Sequence, residues 1–354
     1  MRRPACPVLA RFLLAAACCT LATTMTAPAA HAAAAISGAG STFAQIAIDE
    51  WRAGAARKLG LEVNYSGQGS SAGRRAFIEG TVDFASSDIP FEPGETVTRA
   101  FTYLPLVAGG TALMYNLKDT TGTQIRNLQL SGPTIAKIYF GLVSKWNAPD
   151  IAADNPQLAG RLPSTDITPV ARSGGSGTTA VFTGYLAAVA PKLWDDFVAD
   201  PAYRDYIRSG ARFTSSFPPG GTRTLINGSD GIANFVAQPG SGAGSIGYAE
   251  AGYAVQRGLP MVSVKNQAGR FAQPGARNQA IALTQATRNP DGTQNLDRVY
   301  FYDDPESYPI SSYNYMIAPT TGFDPAKGET LGRFIIYAIT EGQAKAEPLG
   351  YSPL

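Results

Sequence analysis

The chain has 354 residues, 29 basic and 27 acidic side chains, one histidine and three cysteines, for a formal net charge of +2. Such near-neutrality excludes a general attraction to nucleic acid or to an acidic membrane surface, so any affinity for an anion has to be built locally from directed donors. Cys6, Cys18, Cys19 and His31 all fall within the first 33 residues, which leaves the remainder without disulfides, thiolate chemistry, histidine-based triads or the commonest transition-metal ligands.

Residues 1–33 open with Arg2 and Arg3, run through an apolar stretch from Phe12 to Ala17 and end in Ala30-His31-Ala32, the pattern of a cleavable secretory signal peptide. Ala15-Ala-Ala-Cys18 is a poor lipidation signal, so simple cleavage is expected, placing the chain in a bacterial envelope compartment, the periplasm. Arg2, Arg3 and Arg11 leave with the signal, so 26 basic residues then face 27 acidic ones, a net charge of −1. The remaining stretch of about 320 residues exceeds one ordinary core, and two compact units are expected.

Beyond the signal, helical spacing of apolar residues runs from Phe43 to Leu59, followed by an extended Leu61–Tyr65, a helix over Ala72–Glu79 and a strand Val82–Ala85. Strands are expected at Tyr103–Leu106 and Ala112–Tyr115, a helix at Thr134–Phe140, a strand at Ile167–Ala171 and a helix at Ala180–Ala190. Pro and Gly clusters at Phe217–Gly221 and Gln238–Gly247 read as loops. This alternation predicts an α/β fold with parallel sheets and ligand contacts at the ends of strands.

The segment Arg172-Ser-Gly-Gly-Ser-Gly-Thr-Thr179 separates a strand from a helix. Glycines admit close backbone approach, hydroxyls donate, a helix start presents unpaired NH groups and Arg172 adds a fixed positive fork, all of which suit an anion. The same design recurs in Ile36-Ser-Gly-Ala-Gly-Ser-Thr-Phe43 and in Tyr65-Ser-Gly-Gln-Gly-Ser-Ser-Ala-Gly73. Each alone could be an ordinary capped helix; three in one chain point to a shared site. Asp88, after the strand Val82–Ala85, is an acceptor among donors. That placement makes sense when the anion keeps a proton, as phosphate does and sulfate near neutral pH does not, so Asp88 is expected to set selectivity.

Gly-Ala-Gly-Ser-Thr-Phe43, Gly-Gln-Gly-Ser-Ser-Ala-Gly73, Val-Asp-Phe-Ala-Ser-Ser-Asp88 and Arg-Ser-Gly-Gly-Ser-Gly-Thr178, in that order, resemble the motif series of the phosphate-binding proteins that serve bacterial phosphate-specific ABC importers. Ile138–Asn147, Ser229–Val236, Gly244–Glu250 and Tyr308–Ser312 extend the resemblance over nearly all of the chain beyond residue 33. It implies an α/β, two-domain periplasmic binding protein type II fold with two hinge crossovers, near Tyr115–Leu117 and Ser307–Ser312. Domain I would comprise 34–116 and 309–354, and domain II 117–308. By motif, Thr42 and Phe43 would supply backbone NH groups with the Thr42 hydroxyl, Ser70 a hydroxyl and NH, and Asp88 the acceptor. Arg172, Ser176, Gly177 and Thr178 would complete the shell. The implied protein is a monomer with no cofactor, no metal and no catalytic step, whose partners are inorganic phosphate and an inner-membrane ABC permease and ATPase complex.

Two departures stand out. The family commonly holds the arginine with an aspartate two residues later, whereas position 174 is glycine, and the sequence stops at Ser352-Pro-Leu354, short of a helix found in many relatives. Rival readings are a phosphate-ester hydrolase using Ser41, Ser70 or Ser176, disfavoured because no base or metal cluster accompanies them, and a phosphate scavenger, adhesin or sensor uncoupled from import. Trp146 and Trp194 read as buried packing, Lys137 and Lys145 as solvated charges.

Overall fold

Four times the chain runs along a strand, passes through glycine and hydroxyl residues and enters a helix. The computed structural model describes residues 34–354; the expected signal peptide lies outside them. The first repeat is β1 (Ile36–Gly40) into α1 (Gln45–Leu59), the second β2 (Val63–Gly67) into α2 (Ser70–Ile78). After β3 (Phe84–Ser87), the long β4 (Phe101–Tyr115) and α3 (Gly132–Tyr139), a third repeat joins β5 (Thr168–Arg172) to α4 (Gly177–Val189). The fourth, β6 (Thr224–Ile226) into α5 (Gly228–Ala237), is not among the expected elements. Then come β7 (Ser245–Glu250), α6 (Ala251–Gln256), β8 (Ser311–Pro319) and α7 (Pro325–Ile339).

Local chemistry accounts for α1. Ala47, Ile48, Trp51, Gly54 and Ala55 recur three or four apart and form its buried face, Arg57 and Lys58 sit in the last turn, where cations suit the helix dipole, and Gly60 closes the end in a left-handed conformation at φ 66°. Helix α4 is different: most of its length is buried, and its first turn is closed by Ser176, whose Oγ accepts the Thr179 NH at 3.2 Å.

Eight strands form one sheet in the order β2-β1-β3-β8-β4-β7-β5-β6. The expected parallel pairing holds towards its two edges, where β1 runs parallel to β2 and β3 and β5 runs parallel to β6 and β7. It does not hold at the centre. There β8 is antiparallel to β3 and β4, and β4 is antiparallel to β7, so the sheet is mixed. The two strands expected at Tyr103–Leu106 and Ala112–Tyr115 are one; between them, a Cβ at Gly109 would sit 2.7 Å from the Phe43 ring, and the small residue is there for packing. β4 also changes partner along its length. Phe101–Gly110 pairs with β8, Thr111–Tyr115 with β7. The expected loop Gln238–Gly247 is likewise shortened, because Ser245, Ile246 and Gly247 begin β7.

Separate hydrophobic clusters cover the two ends of the sheet. One gathers Trp51, Ile48, Phe84, Phe334 and Tyr351, the other Tyr139, Trp146, Phe182, Tyr185 and Trp194. All three tryptophans are fully buried, and each indole donates to a backbone carbonyl, Trp51 to Gly342, Trp146 to Gly244 and Trp194 to Ala211. Lys137 and Lys145 lie partly or well exposed, paired with Asp150 and Asp166.

Candidate anion-binding site

The turns and helix starts that follow β1, β2, β5 and β6 carry Ser41, Thr42, Ser70, Thr178 and Ser229, and these hydroxyls converge on Asp88 and Arg172. All eight residues singled out from the sequence, Thr42, Phe43, Ser70, Asp88, Arg172, Ser176, Gly177 and Thr178, lie in this cluster. Thr42, Ser70, Asp88, Arg172, Ser176 and Thr178 are buried polar side chains.

Asp88 follows β3 and is 4% exposed. Its Oδ1 accepts short hydrogen bonds of 2.7 Å from both the Ser41 hydroxyl and the Asn314 amide. Its Oδ2 has only long contacts, 3.3 Å from the Ser70 and Thr178 hydroxyls. One carboxylate oxygen is thus engaged by protein, while the other keeps capacity for a stronger donor. Burial pushes the Asp88 carboxyl up from its ordinary range; the bonds from Ser41, Asn314 and Thr178 and the Arg172 charge oppose the rise.

Arg172 ends β5 and is 2% exposed. Its Nη1 donates to Thr42 Oγ1 at 3.0 Å and to Ser229 Oγ at 3.4 Å, its backbone NH donates to the Tyr248 hydroxyl at 3.2 Å, and its Nε has no partner among the described residues. With glycine at 174, hydroxyls rather than an adjacent acid orient the guanidinium. Thr42 and Ser229 also bond each other, Oγ1 to Oγ at 2.9 Å.

The remaining positions contribute mostly backbone. The Phe43 NH donates to Ser41 Oγ at 2.9 Å, and its ring packs into the core against Tyr351. The Ser176 Oγ accepts the Thr179 NH as the helix cap, which aims the first turn of α4, and its own hydrogen remains able to donate. Gly177 is needed for close approach, since a Cβ there would lie 2.6 Å from Ser70 Oγ and 2.7 Å from Asp88 Oδ2. Contacts between the two ends of the sheet, including the Tyr253 hydroxyl donating to the Thr42 carbonyl at 2.9 Å, hold the cluster shut.

Sequence reasoning did not place Ser41, Ser229, Glu250 and Asn314 in the site. Ser229 was findable: Asn227-Gly-Ser-Asp230 repeats the strand, glycine, hydroxyl, helix pattern. Ser41 stands inside a recognised motif. Asn314 stands in a strand that also carries Ser311 and Ser312, and nothing local marks it out. Glu250, 1% exposed at the end of β7, accepts the Thr178 hydroxyl at 3.0 Å through Oε1.

Chemically, the cluster offers hydroxyl donors, helix-start amides and one guanidinium around two carboxylates. It suits a small oxyanion that carries a hydrogen of its own.

Comparison with known proteins agrees with this geometry. A family model described as a PBP superfamily domain matches residues 26–341. The phosphate-binding protein PstS of Xylella fastidiosa strain Temecula1 is 33% identical over 319 residues, covering 90% of this chain and 81% of the relative. That of Haemophilus influenzae is 31% identical, covering 90% and 88%. Among solved structures, a high-affinity periplasmic phosphate-binding protein bound with phosphate aligns with a TM-score of 0.68 at 20% identity over 91% of each chain. A phosphate-binding protein from Stenotrophomonas maltophilia aligns at 0.66 and 19%, again over 91% of each. At these identities the structures speak for the fold, which is the mixed α/β, two-domain type II arrangement of periplasmic binding proteins. On the match over most of its length and the identity to curated relatives, the chain belongs to the PstS family of phosphate-binding proteins within the PBP superfamily.

Proposed function

We propose that this protein captures inorganic phosphate, stripped of water, in the cluster around Asp88 and Arg172, and delivers it from the periplasm to an inner-membrane ABC permease and ATPase. The observation that carries the reading is the asymmetry of Asp88: Oδ1 saturated by two 2.7 Å bonds, Oδ2 facing the hydroxyls at 3.3 Å. Oδ2 would receive the hydrogen of a protonated phosphate oxygen. The hydroxyls of Thr42, Ser70, Ser176 and Thr178, the backbone NH groups at Ser70 and Gly177, the Phe43 NH in exchange for its bond to Ser41 Oγ, and the Arg172 guanidinium would donate to the other oxygens. Micromolar binding corresponds to about 8 kcal/mol, and charge-assisted hydrogen bonds contribute roughly 1.5 to 3 kcal/mol each, so three or four well-made ones suffice.

The two-lobe reading takes 34–116 with 309–354 as one domain and 117–308 as the other. The change of partner along β4 at Gly110–Thr111 favours a hinge there, a few residues before the expected crossover, with release following opening. The reaction is binding alone. A hydrolytic serine finds no support: Ser176 Oγ caps a helix, and Ser41 and Ser70 donate to Asp88.

Titrating ligand-stripped protein with phosphate, arsenate and sulfate tests the assignment. Saturable binding at micromolar or lower phosphate, competition by arsenate and none by sulfate are expected; equal competition by sulfate would overturn it. Loss of phosphate uptake on deletion of the gene would separate an importer component from a free scavenger. The variant Gly177→Ala, whose methyl group would collide with Ser70 and Asp88, is expected to bind phosphate about tenfold to a hundredfold more weakly by the same titration while melting only a few degrees below the wild type.

A further inference from the structure

Glu250 is a second buried carboxyl in the cluster, and the phosphate assignment leaves it without a role. It lies at the junction of β7 and α6, and its partner is the Thr178 hydroxyl, Oγ1 to Oε1 at 3.0 Å. The same hydroxyl also faces Asp88 Oδ2 at 3.3 Å. A threonine hydroxyl has one hydrogen, so it donates to one of these neighbours at a time. The other Glu250 oxygen, Oε2, has no partner among the described residues. A buried ionised carboxylate with an unpaired oxygen is costly. The charged and titratable groups around Glu250 are Asp88 after β3, Arg172 at the end of β5, Tyr253 on α6 and Tyr351 near the C-terminus.

We propose that Glu250 is a positioning residue for phosphate: its carboxyl, acting through the single hydrogen of Thr178, decides whether that hydroxyl donates into the anion site or away from it. When Glu250 is neutral, its own O–H donates to Thr178 Oγ1, and the threonine hydrogen turns to the anion. Ionised, Glu250 accepts that hydrogen at the 3.0 Å contact and takes a donor from the site. Charge acts in the same direction. With Glu250 neutral, Asp88 and Arg172 balance; with it ionised, the cluster is net negative before phosphate arrives. Burial first, and the Asp88 charge second, raise the Glu250 carboxyl to about 7 against the opposing Ser229 hydroxyl and Arg172 charge, so both forms exist near neutral pH. Phosphate is bound best with Glu250 protonated, and affinity weakens as pH rises through that value.

The proposal rests on the phosphate assignment, and its test separates the two. Phosphate affinities of the wild type, Glu250→Gln and Thr178→Val are measured from pH 5.5 to 8.5. Phosphate's own ionisation is common to all three and cancels in ratios. The Glu250→Gln to wild-type affinity ratio is expected to be flat below pH 6 and to rise about tenfold by pH 8.5. Thr178→Val is expected to lose about tenfold at pH 5.5, where the hydroxyl serves the anion, and little at pH 8.5, where it already serves Glu250. Wild type that binds phosphate while both ratios stay constant with pH sinks the role of Glu250 alone. Wild type that does not bind phosphate at pH 5.5 sinks the function and this role with it. If Glu250→Gln does not fold, the pH dependence of the Thr178→Val loss decides by itself.

Discussion

Replacing Asp88 by asparagine is expected to lower phosphate-over-sulfate discrimination by about 10⁴-fold, the largest effect of any single change in this protein. The amide oxygen of the replacement can keep the hydrogen bonds from Ser41 and Asn314 that Asp88 Oδ1 now accepts at 2.7 Å, so the surrounding loops stay in place. What changes is the other atom. An acceptor becomes an NH₂ donor, which repels the hydrogen of a protonated phosphate and serves a bare sulfate oxygen equally well. Discrimination therefore collapses from both directions, by loss of phosphate and gain of sulfate. Competition dialysis with labelled phosphate reads both. Unchanged rejection of sulfate would remove Asp88 from the selectivity role and leave the site explained only as a cluster of donors.

Arg172→Met is expected to weaken phosphate binding by about a thousandfold, because truncating one member of a buried charged cluster costs several kcal/mol, much of it from the charges left behind. Here those charges are Asp88 and Glu250, both of which Arg172 holds down against burial. The consequence reaches stability as well. Each carboxyl already has a folded-state pKa raised above its unfolded value, so each contributes stability that is present at low pH and lost as pH rises through the folded pKa. Without the guanidinium both rise further. The melting temperature of Arg172→Met is therefore expected to fall more steeply between pH 5.5 and 8.5 than that of the wild type. Parallel melting profiles, with binding reduced equally at every pH, would show that Arg172 contributes contacts to phosphate but does not balance the two acids.

Why the donors were legible in the sequence and the acceptors' setting was not follows from where each is encoded. A strand that ends in glycine and hydroxyl residues and turns into a helix occupies about ten consecutive residues, and every physical element of a helix-start anion site is present in that window. Residues 36–43, 65–73 and 172–179 could be recognised one at a time, and even the missed unit at 227–230 obeys the same rule. The β4 error has the opposite origin. Within β4, Gly109 is a packing requirement in three dimensions, set by the Phe43 ring, and Gly110 faces Gln279 and Tyr308; none of these partners is local in sequence.

By itself, then, the chain determined the α/β class, the absence of cysteine and histidine chemistry beyond residue 33, the three recognised donor loops, and Asp88 as the lone acceptor expected beside them. Tertiary structure alone decided the antiparallel centre of the sheet, the restraint of Arg172 by Thr42 across 130 residues, the Asn314 bond to Asp88 across 226, and the approach of Glu250 to Thr178 across 72. The physical reason is that a helix start carries its donors in its own backbone, whereas the ionisation and aim of a buried charge depend on every element folded against it.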